Sequence, residues 1–307
     1  MTKQLTIVDA HQHFWDPERN YYPWLADKPV AFRYGDYSAI KRRYLPDDYL
    51  RDAHNYHVAG TVYIETEWDP RDPVGEMNYV ATLRRETGFP SVAVAQAWLD
   101  RQDAIPLLEQ IAAFDFVRGV RQKPRANTAP QDGSPGGMMD AAWRDGFAAL
   151  NTLDLRYDLQ TPWWHLHEAA DVARAFPDTQ IILDHTGLPA DRGADGVAAW
   201  ASAMALLAAC PNAAVKISGL GQPGQPWTAA SNRLVVLTTI DLFGPERCMF
   251  ASNFPVDSLC GTFDAVFGGF DAITQDFSDA ERQQMFSGNA VRIYGIPADA
   301  LRAPLTG

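Results

Sequence analysis

The stretch TIVDAHQHFWDP, residues 6–17, decides the fold. It begins as a short run rich in apolar and β-branched residues and continues directly into two histidines, a tryptophan and a proline. An open dinucleotide-binding sheet would carry a glycine-rich phosphate loop at this point. Because HQHFWDP stands there instead, the stretch favours a closed barrel whose first strand delivers His11 and His13 to the rim.

The rest of the chain alternates β-rich runs with helical stretches. Runs such as VYI, IIL and CMFA are continuously apolar, which is typical of strands buried on both faces of a parallel sheet. Helices are predicted to begin at Pro46 and at Asp72-Pro73, and two more to cover residues 141–150 and 167–176. The pattern predicts an α/β fold, one (β/α)8 TIM-barrel domain over residues 1–307. The predicted strands are residues 6–10, 58–65, 91–98, 116–122, 155–160, 180–185, 214–219 and 248–252.

Two long segments interrupt this alternation. Residues 16–44 are rich in aromatic side chains, and residues 123–139 are rich in Gly, Pro, Asn and Asp. Both follow predicted strands, so they are expected at the C-terminal rim as lids or pocket walls. The apolar stretch 198–210 is too short to span a bilayer and is predicted to be a buried helix.

Composition restricts the partners. The chain carries 26 Lys and Arg against 38 Asp and Glu, a formal charge of −12, which disfavours nucleic acid and anionic membranes. An anionic substrate would need a local cationic pocket. Cys210, Cys248 and Cys260 lack metal spacing and are expected to be free thiols. With no secretion signal at the N-terminus, a cytoplasmic protein is expected, and a homo-oligomer stays open.

Histidines at strand ends are the sharpest candidates for chemistry. Residues two apart on a strand point to the same face, so His11 and His13 are expected to project together into the barrel mouth. Two such imidazoles can share a metal or bind a polarised oxygen. His185 ends a strongly apolar run and is expected at the same rim.

Further candidates follow other strands. Asn253 can orient water or donate a hydrogen bond, but its amide is not a base, and Asp257 is either a turn residue or catalytic. Arg121 and Lys123 form a cationic group that can grip a carboxylate or stabilise an oxyanion. Glu65 can bind substrate hydroxyls or accept a proton. Trp68 and Trp163 are among the tryptophans expected to pack against the face of a sugar ring or a planar acid.

The motifs resemble those of the lactonase group related to the amidohydrolases, which includes fuconolactone, rhamnonolactone and pyrone dicarboxylate lactonases. They are VDAHQHFWDP, YPWL, YIETEWDP, VRGVRQ, LDHTGLP, VKISGL and FASNFPVD, in this order, and the resemblance extends to SGNAVRIYGI. It implies a (β/α)8 barrel that hydrolyses a cyclic ester. His11, His13 and His185 match the family's histidines, and Arg121 matches a substrate-binding arginine.

In the wider superfamily the three histidines often hold a divalent metal such as Zn or Mn, while some lactonases of this group work without one. This chain has Gln160 where many metal-dependent members place a histidine, and Asn253 replaces the usual aspartate. Both changes disfavour a metal, and the second also removes the usual water-activating base. We expect His185 to be that base, with Asp257 second and Glu65 or a first-strand histidine behind them.

The leading hypothesis is therefore hydrolysis of a small lactone by attack of water on the ring carbonyl, with no cofactor required or one divalent metal. A metal-dependent decarboxylase of the same superfamily is an alternative. A barrel that has lost catalysis and only binds a small carboxylic acid is another.

Overall fold

The computed structural model describes residues 4–303, and its strands form one parallel eight-stranded sheet. Each strand pairs with the next in chain order, and helices lie between them, which confirms the predicted (β/α)8 barrel. The predicted extent, residues 1–307, reaches beyond the described residues at both ends. The strands are β1 (Thr6–Gln12), β2 (His57–Ile64), β3 (Val92–Gln96), β4 (Val117–Gln122), β5 (Arg156–Leu159), β6 (Ile181–Leu183), β7 (Ala213–Ile217) and β8 (Cys248–Phe250).

The helices begin where the sequence supplies start signals. Proline occupies the first turn of the helices that begin at Pro46 and Pro73, and the Asp72 side chain accepts a hydrogen bond from Gly75 N. The helices are α1 (Pro23–Ala26), α2 (Pro46–Asp52), α3 (Pro73–Thr87), α4 (Ala104–Ala112), α5 (Ala141–Thr152), α6 (Leu166–Ala175), α7 (Ala194–Ala208), α8 (Ala229–Phe243), α9 (Phe263–Ile273), α10 (Asp279–Gln283) and α11 (Asn289–Tyr294).

Some predicted boundaries are wrong. The sixth strand ends at Leu183 rather than His185, because His185 and Thr186 have φ values of 55° and 51° and turn the chain out of the sheet. The third and eighth strands are also shorter than predicted, ending at Gln96 and Phe250. After β6 and β8 the chain leaves the sheet early and places the polar side chains of His185 and Asn253 at the rim.

The helix predicted to be buried is α7, and that prediction is also wrong. Only one face of α7 is buried, and it carries Trp200, Met204 and Leu207. The Leu206 side chain is 47% exposed. The three cysteines are free and buried, as predicted. Within residues 4–303, the structure contains no helix with the length and apolar character needed to cross a membrane.

The barrel closes between β1 and the residues that follow β8. Asn253 N donates to His11 O at 2.8 Å, and His13 N donates to Phe254 O at 2.9 Å. The Asp9 carboxylate adds a further hydrogen bond across this seam, since its Oδ1 accepts from Ser252 N at 2.9 Å. Burial raises the pKa of Asp9 to about 6. Closure of the seam places Asn253 beside His13.

Candidate active site

A cavity of about 370 Å³ opens at the C-terminal ends of the strands. Its walls come from strand ends and from the long segment after β1, so residues 16–44 do form pocket wall. The lining includes His13, Trp15, Trp24, Phe32, Arg33, Glu65, Glu67, Arg121, Lys123, Gln160, His185 and Asn253.

Three histidines form a cluster at the base of this cavity. The His11 ring centroid lies 5.0 Å from that of His13 and 4.5 Å from that of His185. Burial lowers the pKa of all three, that of His13 to about 3, and neighbouring cations add to the effect. Each ring is therefore neutral near pH 7.

The protonated nitrogen of His13 follows from its partners. His13 Nδ1 lies 2.8 Å from Ile64 O, and a carbonyl only accepts, so Nδ1 carries the proton and Nε2 presents a lone pair. Nε2 lies 3.3 Å from Asn253 Oδ1, while Asn253 Nδ2 donates to Asp257 Oδ1 at 2.6 Å. Two acceptor atoms therefore face each other, and a water molecule can donate to both.

A fully buried charge network lies behind His11. Lys216 Nζ contacts Asp158 Oδ1, lies 3.1 Å from Asp184 Oδ1 and lies 3.4 Å from His11 Nδ1. Tyr294 OH donates to Asp158 Oδ1 at 2.7 Å. Burial raises the pKa of Asp158 to about 6, whereas for Asp184 burial is outweighed by Lys216, His185 and Arg121 together and the pKa is lowered. The network holds His11 neutral and fixes its ring.

His185 is oriented by β7. Its Nδ1 lies 2.8 Å from Ser218 Oγ, which leaves Nε2 as the ring nitrogen free for a ligand. The pKa of His185 is well below 6.5 because the ring is buried and Arg33 is near. Gly219 follows in the left-handed region at φ 62°, and its backbone packs against the His185 ring.

Arg121 is held in one orientation by β2. Its Nε donates to Glu65 Oε1, its Nη2 donates to Glu65 O at 2.8 Å and its Nη1 donates to Gln160 Oε1 at 3.2 Å. Glu65 Oε2 accepts from Glu67 N at 2.7 Å. Since both oxygens of Glu65 are bonded within the protein, Glu65 positions Arg121, and this disfavours it as a proton acceptor.

Asp257 lies behind Asn253 and does not line the cavity. Tyr34 OH donates to Asp257 Oδ1 at 2.9 Å, and Arg33 Nη2 lies 3.9 Å from the same oxygen. Burial raises the pKa of Asp257 to about 6. The carboxylate therefore acts on the cavity through residues that line it, the Asn253 amide and Arg33.

The structure places most of the candidate residues together. His13, His185, Asn253, Glu65, Arg121 and Lys123 line the cavity, while His11 and Asp257 stand directly behind it. Trp68 lines a neighbouring cavity. Trp163 lines neither cavity and packs edge-on against Trp164. Their catalytic and binding roles stay predictions.

Other residues of the site have no place among the sequence candidates. They are Arg33, Tyr34, Asp158, Gln160, Asp184, Lys216 and Ser218. Asp184 stands inside the LDHTGLP motif and Lys216 inside a strand, so both have a local signal. Arg33 lies in an irregular loop, and no pattern of spacing marks it.

The family model described as Amidohydrolase matches residues 8–296, most of the chain. The chain belongs to the amidohydrolase family. This amidohydrolase is 41% identical over 300 residues to a protein named y4mH from Sinorhizobium fredii, covering 95% of this chain and 99% of the relative. It is 26% identical over 306 residues to an L-fucono-1,5-lactonase of Burkholderia multivorans, covering 95% and 97%.

A solved structure of an amidohydrolase from Burkholderia multivorans with bound zinc matches with a TM-score of 0.76 and 25% identity, covering 95% of this chain and all of that one. Two features of the present amidohydrolase disfavour such an ion. Within residues 4–303, no group of three or more His, Cys, Asp or Glu residues is arranged to hold a metal. Lys216 and Arg121 also place two cations beside the histidines.

Replacing Gly219 with alanine should disturb His185. A Cβ at this position would lie 2.6 Å from both His185 Nδ1 and Arg33 Nη2. We expect a loss of roughly 1–3 kcal/mol in the free energy of unfolding and a fall in kcat/KM of up to about a hundredfold. Chemical denaturation and steady-state assays measure the two effects.

The control is Gly224→Ala, because Gly224 has a similar φ of 67° but no heavy atom within 4 Å of the added Cβ. Gly224→Ala therefore introduces the same backbone strain as Gly219→Ala but does not crowd any neighbouring side chain. Equal losses in kcat/KM for the two variants would contradict the role assigned to Gly219.

Proposed function

We propose that this amidohydrolase opens a small lactone by hydrolysis and requires no metal. The observation that carries the proposal is the shared cavity, in which the neutral imidazoles of His13 and His185 stand with the buried guanidinium of Arg121. Neutral imidazoles accept protons from water, and a fixed guanidinium stabilises negative charge. The likeness to a fuconolactonase supports the same reaction. The cavity volume of about 370 Å³ falls in the range of small-molecule sites, roughly 300–1,000 Å³.

The attacking water is positioned by His13 and Asn253. His13 Nε2 and Asn253 Oδ1 are both acceptors 3.3 Å apart, so the pair can share one O–H group of a water, and the second O–H group is left for His185 Nε2. Asp257 fixes the amide in this orientation by accepting from Asn253 Nδ2. The lactone carbonyl then lies with its oxygen toward the cations of the cavity, among them Arg33 and Arg121.

His185 is proposed as the general base. As the water oxygen bonds to the carbonyl carbon, the water proton passes to His185 Nε2 and the carbonyl electron pair moves onto oxygen. The tetrahedral oxyanion collapses, the ring C–O bond breaks, and the imidazolium returns its proton to the departing ring oxygen. The product is a hydroxy acid, whose carboxylate faces Arg121 and Lys123.

A panel of lactones tests the reaction. Aldono-1,4-lactones, aldono-1,5-lactones and pyrone carboxylates are offered to the purified enzyme, before and after treatment with a chelator, and acid release is followed with a pH indicator. We expect at least one lactone to react with a kcat/KM of about 10⁴ M⁻¹s⁻¹ or more in both preparations. Hydrolysis no faster than in buffer would contradict the proposal, and carbon dioxide release from aromatic acids would favour a decarboxylase.

Arg121→Ala should weaken binding of the product acid. A buried charge-assisted contact contributes roughly 1.5–3 kcal/mol, so the dissociation constant of the acid should rise about ten- to a hundredfold. Calorimetric titration measures it. Arg174→Ala is the control, since the Arg174 side chain is 59% exposed and pairs with Asp171 on the same helix. Equal affinity in Arg121→Ala and wild type would remove Arg121 from the substrate site.

Asp257→Asn should make the protein more stable at high pH while lowering its activity. Burial raises the Asp257 pKa from 3.8 to about 6, so the folded state holds this proton more tightly than the unfolded state does. Its contribution to stability therefore falls as pH rises from about 4 to about 6, and at pH 8 the buried charge costs about 3 kcal/mol. We expect the variant to be more stable than wild type at pH 8 and equally stable at pH 4.

The same substitution should lower kcat, since Asn253 loses its anionic partner. In wild type, kcat should fall as pH drops below about 6, where Asp257 gains a proton. In Asp257→Asn this acid limb should be absent. Asp178→Asn, at an exposed position, is the control. A wild-type rate that is constant from pH 5 to pH 8 would contradict this role.

A further inference from the structure

A second cavity of about 620 Å³ adjoins the candidate active site. The two cavities have walls in common, so they are adjacent, and we describe them as an inner and an outer chamber. We use "outer chamber" for the larger cavity. The shared lining residues are Trp24, Val30, Glu65, Glu67, Arg121 and Lys123.

Aromatic rings form much of the outer chamber. Trp24, Trp68 and Trp98 all line it, and Trp68 is almost fully buried. Trp24 Nε1 donates to Thr66 O at 2.8 Å, and the Trp68 ring packs edge-on against Tyr22 at 5.2 Å. These contacts hold two of the three indoles in place, so the chamber has preformed apolar faces.

Trp98 follows β3 at the mouth of the outer chamber. Its ring is half-buried, and the Arg101 guanidinium carbon lies 5.0 Å from its centroid. Trp98 does not line the inner chamber. It is therefore a position where the two chambers can be tested separately.

Polar groups complete the outer chamber. Gln96 Oε1 is buried and has no hydrogen-bond partner among residues 4–303, so it is an acceptor available to a ligand hydroxyl. The ionisable side chains that line the chamber balance in sign, which favours a neutral occupant. The cations are Lys28, Arg121 and Lys123, and the anions are Asp27, Glu65 and Glu67.

The junction between the chambers is built from an ion pair. Lys123 Nζ contacts Glu67 Oε1, and both side chains are only partly buried. Glu67 has a φ of 54°, and its backbone N donates to Glu65 Oε2. The Glu67 carboxylate and the Lys123 ammonium therefore stand where the two chambers adjoin.

We propose that the outer chamber binds a second, neutral, hydroxylated ring, so that the preferred substrate is a glycosylated aldonolactone rather than a free one. The proposal rests on the proposed lactonase function for the inner chamber. Indole faces cover the apolar face of a sugar ring, and the amide and charged groups between them bind its hydroxyls. An unsubstituted sugar lactone would occupy only the inner chamber, and water would fill the outer one.

The first test is direct binding by calorimetry, which needs no turnover. The probes are cellobionate and lactobionate, each compared with gluconate. We expect the disaccharide acids to bind about tenfold more tightly than gluconate, as one added aromatic stacking contact would give. Trp98→Ala should reduce this ratio to near one, and Trp98→Phe should restore part of it.

The matched control is Phe114→Ala. Phe114 is also a half-buried aromatic residue, but it precedes β4 and so lies at the opposite end of the barrel. Its loss should leave the binding ratio as in wild type. Equal binding of disaccharide acids and gluconate, unchanged by Trp98→Ala, would overturn the proposal, as would tighter binding of an aryl-substituted acid than of either disaccharide acid.

The second test is kinetic and separates the two proposals. Cellobiono-1,5-lactone should have a kcat/KM about tenfold above that of glucono-1,5-lactone, and Trp98→Ala should remove this preference. If the disaccharide acids bind in a Trp98-dependent way but no lactone is opened, the outer chamber stands and the lactonase function fails. If lactones are opened without preference and binding shows no Trp98 dependence, the outer-chamber proposal alone fails.

Discussion

His185→Ala is expected to lower kcat by about a thousandfold, within the 10²–10⁴-fold range of a lost general base. Its Nδ1 is held by Ser218 and its neutral ring faces the cavity, so its removal leaves the water without a proton acceptor in position. Stopped-flow or steady-state assays on the best lactone measure the loss. Added imidazole should restore part of the rate, because the alanine leaves room for it.

The control for this variant is His54→Ala. His54 is exposed and its Nδ1 contacts only Arg51 O, on the helix side of the barrel. Its removal should leave kcat unchanged. A His185→Ala enzyme that turns over at a near-normal rate would show that another group is the base, and His13 would then be the next residue to replace.

Lys216→Met is expected to destabilise the protein by about 3–5 kcal/mol, as when one partner of a buried ion pair is removed. The substitution leaves Asp158 and Asp184 buried without the cation that now lies between them. Urea unfolding at pH 8 measures the loss. The loss should shrink as pH falls from 8 toward 6, because without Lys216 the pKa of Asp158 lies above its wild-type value of about 6 and the carboxyl gains a proton in this range.

Arg51→Met provides the comparison, since Arg51 is 72% exposed and pairs with Asp48 at 3.0 Å. Removing an exposed pair should change the free energy of unfolding by less than about 1 kcal/mol. A loss for Lys216→Met as small as that for Arg51→Met would mean that the buried carboxylates find other partners.

The fold could be predicted because its signals are local. Continuous apolar runs mark strands that are buried on both faces, and proline with aspartate marks the helix starts at positions 46 and 72–73. The common direction of His11 and His13 follows from the alternation of side chains along a strand, which is also a local property of the sequence. These features need no knowledge of which segments meet in space.

The rest of the site depends on contacts between distant segments. The turn at His185 is left-handed and its ring packs against Gly219, which follows β7, and neither residue alone signals this contact. Lys216 lies within a strand, and only the position of Asp158 shows that it is both an inward residue and a charge partner. The sequence already ranked His185 ahead of Glu65 as the base, but the bonds between Arg121 and Glu65, which give a physical reason for this order, are not visible in the sequence.

The seam that closes the barrel joins His11 and His13, near the start of the chain, to Asn253 and Phe254, near its end. During synthesis on the ribosome, a nascent chain can pair its first seven strands while this seam is still open. Loop closure over about 240 residues comes late, because contacts of large sequence separation are slow to form. Half of the water-binding pair is absent until then. Truncated products of this protein should accordingly be inactive even where much of their sheet is folded, and activity should appear only when the last strand has emerged.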